Sequence, residues 1–236
     1  MDEVQDFSPL ELQLLLNMTP ENRRSVTLAG DRDQRIRVGP HLESWDHAFE
    51  YLNVDITKLE PLKVGYRSTY EIMELAKKVM GAYSTNIEWQ AVRHGAAVGI
   101  FSFQTKGQML GRLAETLSEL MLRESQASVA VLSRYASQAD TVYEGLFRSD
   151  IPQLRRVRDQ DFSFTSGIDV TEIAQVKGLE FDYVILTDVD SLTFGDDEKT
   201  RHLLYVGITR AAHQLWILHT GQLSPLIPPD FLPSPH

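Results

Sequence analysis

Short β-branched runs alternate with longer segments of helical period along almost the whole chain, and this alternation limits the fold more than any other feature. The strongest run is Tyr183-Val184-Ile185-Leu186-Thr187, apolar and too short for a helix. Further strands are predicted at 25–29, around Leu62 and Val64, and at 98–103, 128–133, 170–174 and 214–219. Between them lie predicted helices. The first opens at Ser8-Pro9-Leu10-Glu11, where Ser8 caps, Pro9 takes the first helical position and Glu11 closes a capping box. Phe7 and Leu12 are spaced for a hydrophobic staple, and the helix runs to about Asn17. A second capping box, Ser68 to Glu71, opens a helix with Ile72, Leu75, Ala76 and Val79 on one face and Gly81 as its stop. Helices are also expected at 109–122, 138–147 and 203–212. Strands feeding helices in this order predict an α/β layer around a mainly parallel sheet.

Residues 32–60 read as irregular, apart from Trp45, Phe49 and Leu52 at helical spacing, which favours a core position for Trp45. The segment after Gly221 holds five of the ten prolines, predicting an extended or disordered arm.

Charge narrows the function classes. The net charge is -10, whereas a module that grips nucleic acid through its phosphates is basic at least in part. The densest basic stretch, Arg155, Arg156 and Arg158, reads as a solvated loop. Cysteine is absent, which removes disulfides and thiolate metal sites. No apolar run reaches the roughly 18–20 residues of a membrane span. The acidic start, Met-Asp-Glu-Val-Gln-Asp, has no signal-peptide pattern. No membrane association and a cytoplasmic location are expected.

Four constellations carry candidate chemistry. Asp2-Glu3-Val4-Gln5-Asp6 sets two adjacent carboxylates at a predicted strand end, where one could hold Mg²⁺ and the other activate water. Taken alone it is equally an acidic, solvated terminus. Gly30-Asp31-Arg32-Asp33-Gln34 follows a predicted strand, and the Gln34 amide could sense a terminal phosphate, although an ordinary turn reads the same way. In Gly65-Tyr66-Arg67-Ser68-Thr69, Arg67 stands beside a helix N-terminus, where anions bind. Tyr66 could stack on a base; the plain alternative is a core tyrosine and a surface arginine. Lys177-Gly178-Leu179-Glu180-Phe181-Asp182 is followed by Leu203-Leu204-Tyr205-Val206-Gly207-Ile208-Thr209-Arg210-Ala211. Arg210 could act as an arginine finger, or be an exposed helical residue.

Together, and in this order, the segments resemble the UvrD/Rep/PcrA-type superfamily-1 helicases over residues 2 to about 219. Asp-Glu-x-Gln-Asp resembles the Walker B motif and Gly-Asp-x-x-Gln motif III. Tyr-Arg-Ser resembles motif IV, Lys-Gly-Leu-Glu-Phe motif V and Leu-Tyr-Val-x-x-Thr-Arg-Ala motif VI. The resemblance implies a RecA-like P-loop NTPase fold and an ATP-dependent DNA helicase, a nucleotide-binding hydrolase using ATP and Mg²⁺. It implies that Asp2 binds the metal, Glu3 activates water and Gln34 contacts the γ-phosphate. Tyr66 would stack on adenine, Arg67 and Arg210 would contact phosphates, Glu180 would reach the ribose and Gly178 would shape its loop.

The pattern departs from the family in several places. No Gly-x-x-x-x-Gly-Lys-Ser/Thr occurs, so the cradle that holds the phosphates is missing. The expectation is a truncated remnant of the first RecA-like domain at 1–60, a second RecA-like domain at 61–220 and a proline-rich tail at 221–236. Such a chain would be one part of a motor, inactive alone and joined to a separate N-terminal half. In the intact protein the partner would be single-stranded DNA, or duplex DNA with a single-stranded tail. The exposed sheet edge near residues 1–30 would favour self-association. Arg35-Ile36-Arg37-Val38-Gly39 lacks the aromatics that usually follow motif III. The interval from Phe147 to Val170 is too short for UvrD's extra domain, and Glu172-Ile173-Ala174-Gln175 lacks the usual Thr and His. These features look closer to the HelD-like branch, whose members can act on RNA polymerase. The alternative is therefore a non-catalytic module binding RNA polymerase or another protein.

Overall fold

A computed structural model describes residues 1–18, 26–36, 45, 49, 52, 60–84 and 90–232. Five α-helices are described: α1 (Pro9–Asn17), α2 (Tyr70–Met80), α3 (Lys106–Arg123), α4 (Ala136–Phe147) and α5 (Glu198–Thr209). The strands are β1 (Val64–Gly65), β2 (Gln90–Ala91), β3 (Gly99–Ser102), β4 (Ser128–Ser133), β5 (Leu154–Arg156), β6 (Gly167–Glu172), β7 (Phe181–Leu186) and β8 (Ala211–His219). Six of them form one sheet in the order β3-β8-β7-β4-β6-β5, every neighbouring pair parallel. β1 and β2 pair separately, also in parallel.

The period-2 rule of strands divides the core between the two faces of this sheet. Ala130 and Leu132 of β4, Val184 and Leu186 of β7, and Leu215 and Ile217 of β8 pack on one side with Ile72, Leu75 and Val79 of α2 and Leu204 and Ile208 of α5. Val129, Val131 and Ile185 point the other way, against Met109, Leu113 and Leu117 of α3 and Val142 and Leu146 of α4. Helices on both faces of a parallel sheet account for the near-continuous apolar runs of β4 and β7.

Several expectations change. The strand at 25–29 does not form: Ser25 lies outside the described residues, and 26–30 are irregular and mostly exposed. Among the described residues their backbone meets residues 1–4 only, through Met1 to Thr27 at 2.7 Å, Ala29 to Met1 at 2.9 Å and Val4 to Ala29 at 3.0 Å. Glu3 then turns to φ 53°, which ends any extended course. Among the described residues of 1–36 there is accordingly no strand.

The Ser68 capping box is also absent. Thr69 is the N-cap of α2, and the Ser68 hydroxyl instead donates to the Ala211 carbonyl at 2.7 Å. By contrast, the Ser8–Glu11 box and the Gly81 stop form as predicted. The tail is no free arm over its described part. Leu226 and Ile227 are buried in the α2–α5 core, and Lys78 holds Asp230 at 3.1 Å while lying 5.2 Å over the Phe231 ring. Residues 233–236 and 37–39 lie outside the described residues.

The basic run is a solvated loop only at Arg158, which lies beyond β5 with its side chain exposed. Arg155 and Arg156 lie in or beside β5. Arg155 pairs with Asp169 at 2.6 Å, Arg156 with Asp140 at 2.7 Å and Arg158 with Asp140 at 2.8 Å. The arginines are neutralised from neighbouring strands and helices rather than left as a basic patch. Trp45, Phe49 and Leu52 are each helical; Trp45 and Phe49 stack at 6.0 Å, and Trp45 packs on the cluster of Val4, Leu12, Leu16 and Leu52, as its spacing predicts.

Candidate functional site

Strands β7 and β8 lie side by side, and their amino-terminal ends gather most of the candidate residues. Arg210 immediately precedes β8 and Glu180 immediately precedes β7; the Phe181 amide donates to the Arg210 carbonyl at 2.9 Å and holds the starts of the two strands together. The Ser68 bond to Ala211 brings the start of α2, and with it Tyr66 and Arg67, to the same end of the sheet.

Gly178 has a local conformational reason. The Leu179 amide donates to the Val176 carbonyl at 3.0 Å, Lys177 has φ −58° and ψ 134°, and Gly178 has φ 80°. These are the marks of a type II turn, whose third position calls for glycine. The turn aims Lys177 back toward the first residues of the chain and sends Glu180 outward. Arg67 forms an ion pair with Glu180, both side chains being about half exposed. Tyr66 is 72% exposed, so the core alternative for it is excluded and its ring face is open.

Arg210 departs most from the sequence-based reading. It is 2% exposed, not a surface residue. Its Nε donates to Val206 O at 3.2 Å and Nη1 to Leu179 O at 3.1 Å. Nη2 donates to Thr209 Oγ1 at 3.1 Å and to Gln34 Oε1 at 2.8 Å. Burial pushes its pKa down and the nearby Arg67 adds to that, with Glu3 and Glu180 opposing. A buried guanidinium whose charge is made costlier by a second one nearby is a place suited to an anion.

Gln34 is held on both sides. Its Nε2 donates to Asp31 Oδ2 at 2.9 Å, and the Tyr205 hydroxyl donates to the same oxygen at 3.3 Å. The phenol's pKa is well raised by burial and then by Asp31 and Asp33, so Tyr205 stays a donor. Nearby, His202 Nδ1 donates to the Asp33 carbonyl at 2.8 Å, and Arg35 meets Glu198 at 3.3 Å. Residues 198, 202 and 205 recur at helical spacing, so one face of α5 meets Arg35, Asp33 and Asp31 in turn.

Asp2 and Glu3 stand beside this network, at no strand end. Asp2 is exposed and its Oδ1 accepts from the Glu3 amide at 2.9 Å; Glu3 accepts from the Gln5 amide group. Gln5 Oε1 in turn accepts from the Asp31 amide at 3.0 Å. Lys177 binds Asp6 at 2.5 Å and lies 3.9 Å from Glu3.

Sequence reasoning gave no role to Lys177, Asp31, Tyr205 or His202. Lys177, Asp31 and Tyr205 lie inside the quoted motifs, so the signal was there; His202 had none. Among the described residues no group of three or more metal-ligating side chains gathers. Mg²⁺ accompanying a nucleotide is held by one or two carboxylates plus phosphate and water, a demand that Asp2 fits.

Two family profiles, both described as UvrD-like helicase C-terminal domain, match residues 61–164 and 167–218. No curated protein matches. The chain is similar to the crystal structure of the C-terminal domain of a possible DNA helicase from Lactobacillus plantarum WCFS1. The TM-score is 0.58 at 20% identity, over 71% of this chain and 96% of that one. It also resembles an arterivirus nonstructural protein 10 helicase solved with DNA, at TM-score 0.48 and 19% identity. That match covers 92% of this chain but 38% of the viral one. The PRRSV helicase matches at 0.46 and 14%, with 34% of its chain covered. The all-parallel sheet is thus a RecA-like helicase C-terminal domain, and the chain belongs to the UvrD-like helicase family, of which it carries the C-terminal portion.

Proposed function

We propose that this chain forms the arginine-bearing side of an ATP cleft in a DNA helicase or translocase, and that a polypeptide with a P-loop forms the other side. The observation that carries this reading is the Arg210–Gln34 hydrogen bond of 2.8 Å, which joins the motif III-like and motif VI-like segments. ATP, when bound, supplies the phosphoryl group whose transfer drives the motor. Arg67 and Arg210 are read as the groups that neutralise its charge, Gln34 as the sensor of its terminal phosphate and Glu3 as the base for water. Tyr66 offers an open ring for the base, Glu180 the ribose contact and Asp2 the protein ligand of Mg²⁺.

Four of the acceptors around Arg210 belong to the protein itself. They take four of its five N–H groups, and Gln34 is the one that comes from outside α5 and the turn before β7; on this reading a phosphate takes its place. In the resting arrangement Gln34 therefore stands in for the phosphate oxygen, and exchange of that bond couples nucleotide to the position of α5. Residues 1–60 are read as part of the first RecA-like domain and 61–220 as the second. DNA is the proposed track in the intact protein.

ATP hydrolysis tests this directly. The chain alone, which has no Gly-Lys-Ser/Thr loop, is expected to show none. The same chain joined to a P-loop-bearing segment ahead of Asp2 is expected to show DNA-stimulated turnover. Robust hydrolysis by the chain alone, or none from the joined protein, contradicts the reading.

A further inference from the structure

Strand β3 forms one edge of the six-stranded sheet, and among the described residues no strand pairs with its outer side. The Phe103 amide donates to the His219 carbonyl of β8 at 2.9 Å. By strand alternation the backbone groups of Phe101 also face β8, while those of Ile100 and Ser102 point outward. Sheet edges are normally guarded by charge, proline or a bulge. Residues 98–103 read Val-Gly-Ile-Phe-Ser-Phe, with neither charge nor proline, and Phe101 is 45% exposed.

A groove runs along each face of this edge. On the α3 side, Phe101, Phe103, Gln104, Gln108 and Arg112 line a groove of ≈ 690 Å³. On the α2 side, Ile100, Glu71, Glu74, Lys78, Asp230 and Phe231 line one of ≈ 630 Å³. The two differ in charge. On the α2 side three carboxylates face one ammonium: Lys78 pairs with Glu74 at 3.5 Å and Asp230 at 3.1 Å, while Glu71 meets His94 at 3.0 Å and accepts from the Gly95 amide at 2.9 Å, which leaves the side acidic on balance. On the α3 side Arg112 is paired with Glu115 at 3.1 Å, which leaves aromatic and amide surface. Side chains of a strand laid beside β3 would enter the two grooves alternately.

We propose that the β3 edge receives an extended peptide strand of alternating basic and apolar residues from another protein. Its backbone bonds the outward groups of Ile100 and Ser102. Its basic side chains meet Glu71, Glu74 and Asp230, and its apolar ones rest on Phe101. The surface uses none of the residues of the Arg67–Arg210 cluster, so it stands or falls apart from the nucleotide reading.

The probe is an end-blocked, fluorescein-labelled Lys-Val-Lys-Val-Lys-Val hexapeptide, titrated with the full chain by anisotropy at physiological salt. Two controls carry Glu for each Lys, or the same composition in blocks, Lys-Lys-Lys-Val-Val-Val. Saturable binding of the alternating peptide is expected, with both controls weaker by about tenfold or more. Glu74→Lys is expected to weaken binding by about tenfold. Ser102→Pro removes an N–H that faces away from β8 and is expected to abolish binding with the melting curve unchanged. In the wild-type chain the amides of Ile100 and Ser102 are expected to gain hydrogen-exchange protection on adding the peptide, a readout that needs no variant to fold. Equal binding of the block peptide, full binding by a folded Ser102→Pro chain, or no gain in protection overturns the proposal. So does a dimer in light scattering that Ser102→Pro dissolves, because the edge is then taken by a second copy.

Discussion

Arg210 donates from Nη2 to Gln34 Oε1 at 2.8 Å, across 176 positions of sequence, and Gln34 passes the connection on to Asp31 at 2.9 Å. A buried guanidinium and a side-chain amide thereby satisfy each other. The bond ties the Gly-Asp-x-x-Gln segment to the residue that immediately precedes β8.

The tie is measurable as a coupling energy. Gln34→Ala leaves one Arg210 donor without its acceptor, and Arg210→Lys removes the fork that reaches Gln34. Each is expected to destabilise the chain, by about 1–3 kcal/mol. In a double-mutant cycle by urea denaturation the pair is expected to couple by about 1 kcal/mol. Strict additivity would mean that the bond contributes nothing to the fold.

Gly207 tests how tightly α5 sits on the sheet. A Cβ there would lie 2.9 Å from Leu186 Cδ2 and 3.2 Å from Ile173 Cδ1. Both are buried core side chains with little room to yield. Gly207→Ala therefore sets a gain in helix propensity of about 1 kcal/mol against overpacking of about 1–3 kcal/mol. A net loss of stability is expected by thermal melting. An Ala variant more stable than the parent would show that α5 can lift off β7 at little cost.

Asp197 caps α5 by accepting from the Thr200 amide at 2.9 Å and the Thr200 hydroxyl at 2.6 Å. Asp197→Ala is expected to cost about 1 kcal/mol, and Asp197→Asn much less, in the same melting assay. Those bonds also hold the carboxyl pKa below its ordinary 3.8. The cap's charge-dependent part is therefore present above that value and lost as pH falls through the lower folded-state pKa.

At the alkaline end the sign reverses. The Tyr183 hydroxyl bonds Glu124 at 2.8 Å, and burial followed by that carboxylate pushes its pKa up to about 12. Tyr205 is shifted in the same direction by burial and the 31–33 carboxylates. A phenol whose folded pKa is raised contributes stability below its unfolded value of 10.0 and loses it as pH rises further. Stability is expected to be level up to about pH 10 and to fall from there toward pH 12, with Tyr183→Phe flattening part of the slope. An unchanged slope in that variant would remove Tyr183 from the account.

Much of the sheet was legible because β4 and β7 are buried on both faces and so read as near-continuous apolar runs, whereas β6, Gly-Ile-Asp-Val-Thr-Glu, mixes polar with apolar residues and starts at 167 rather than the predicted 170. The prediction of 128–133 matches β4 residue for residue. Local chemistry misled where a distant partner outcompeted it. Ser68 carries a capping signature, yet its hydroxyl is taken by Ala211, 143 positions away. Arg156 looks solvated in sequence and is buried because Asp140 and Glu172 come to it from α4 and β6. The 25–29 run has the composition of a strand, but among the described residues 26–30 have no backbone neighbour beyond residues 1–4 to pair with. For the candidate site, the motifs contain the residues of the Arg67–Glu180 and Arg210–Gln34 contacts. They did not reveal that Arg210 would be enclosed, since enclosure depends on Gln34 and the turn at Gly178 arriving from other segments.

The central claim concerns Arg210, and its most direct test is ATP turnover in the chain joined to a P-loop-bearing segment. Single-stranded DNA is added, and Arg210→Lys is compared with the parent after melting curves confirm that both are folded. Lysine keeps the charge but not the fork. Turnover is expected to drop by about 10³-fold or more, the scale of an arginine finger, with nucleotide affinity changed far less. Turnover equal to the parent's, in a folded Lys variant, would contradict the assignment of Arg210 to the reacting phosphate and leave it a structural anchor of α5.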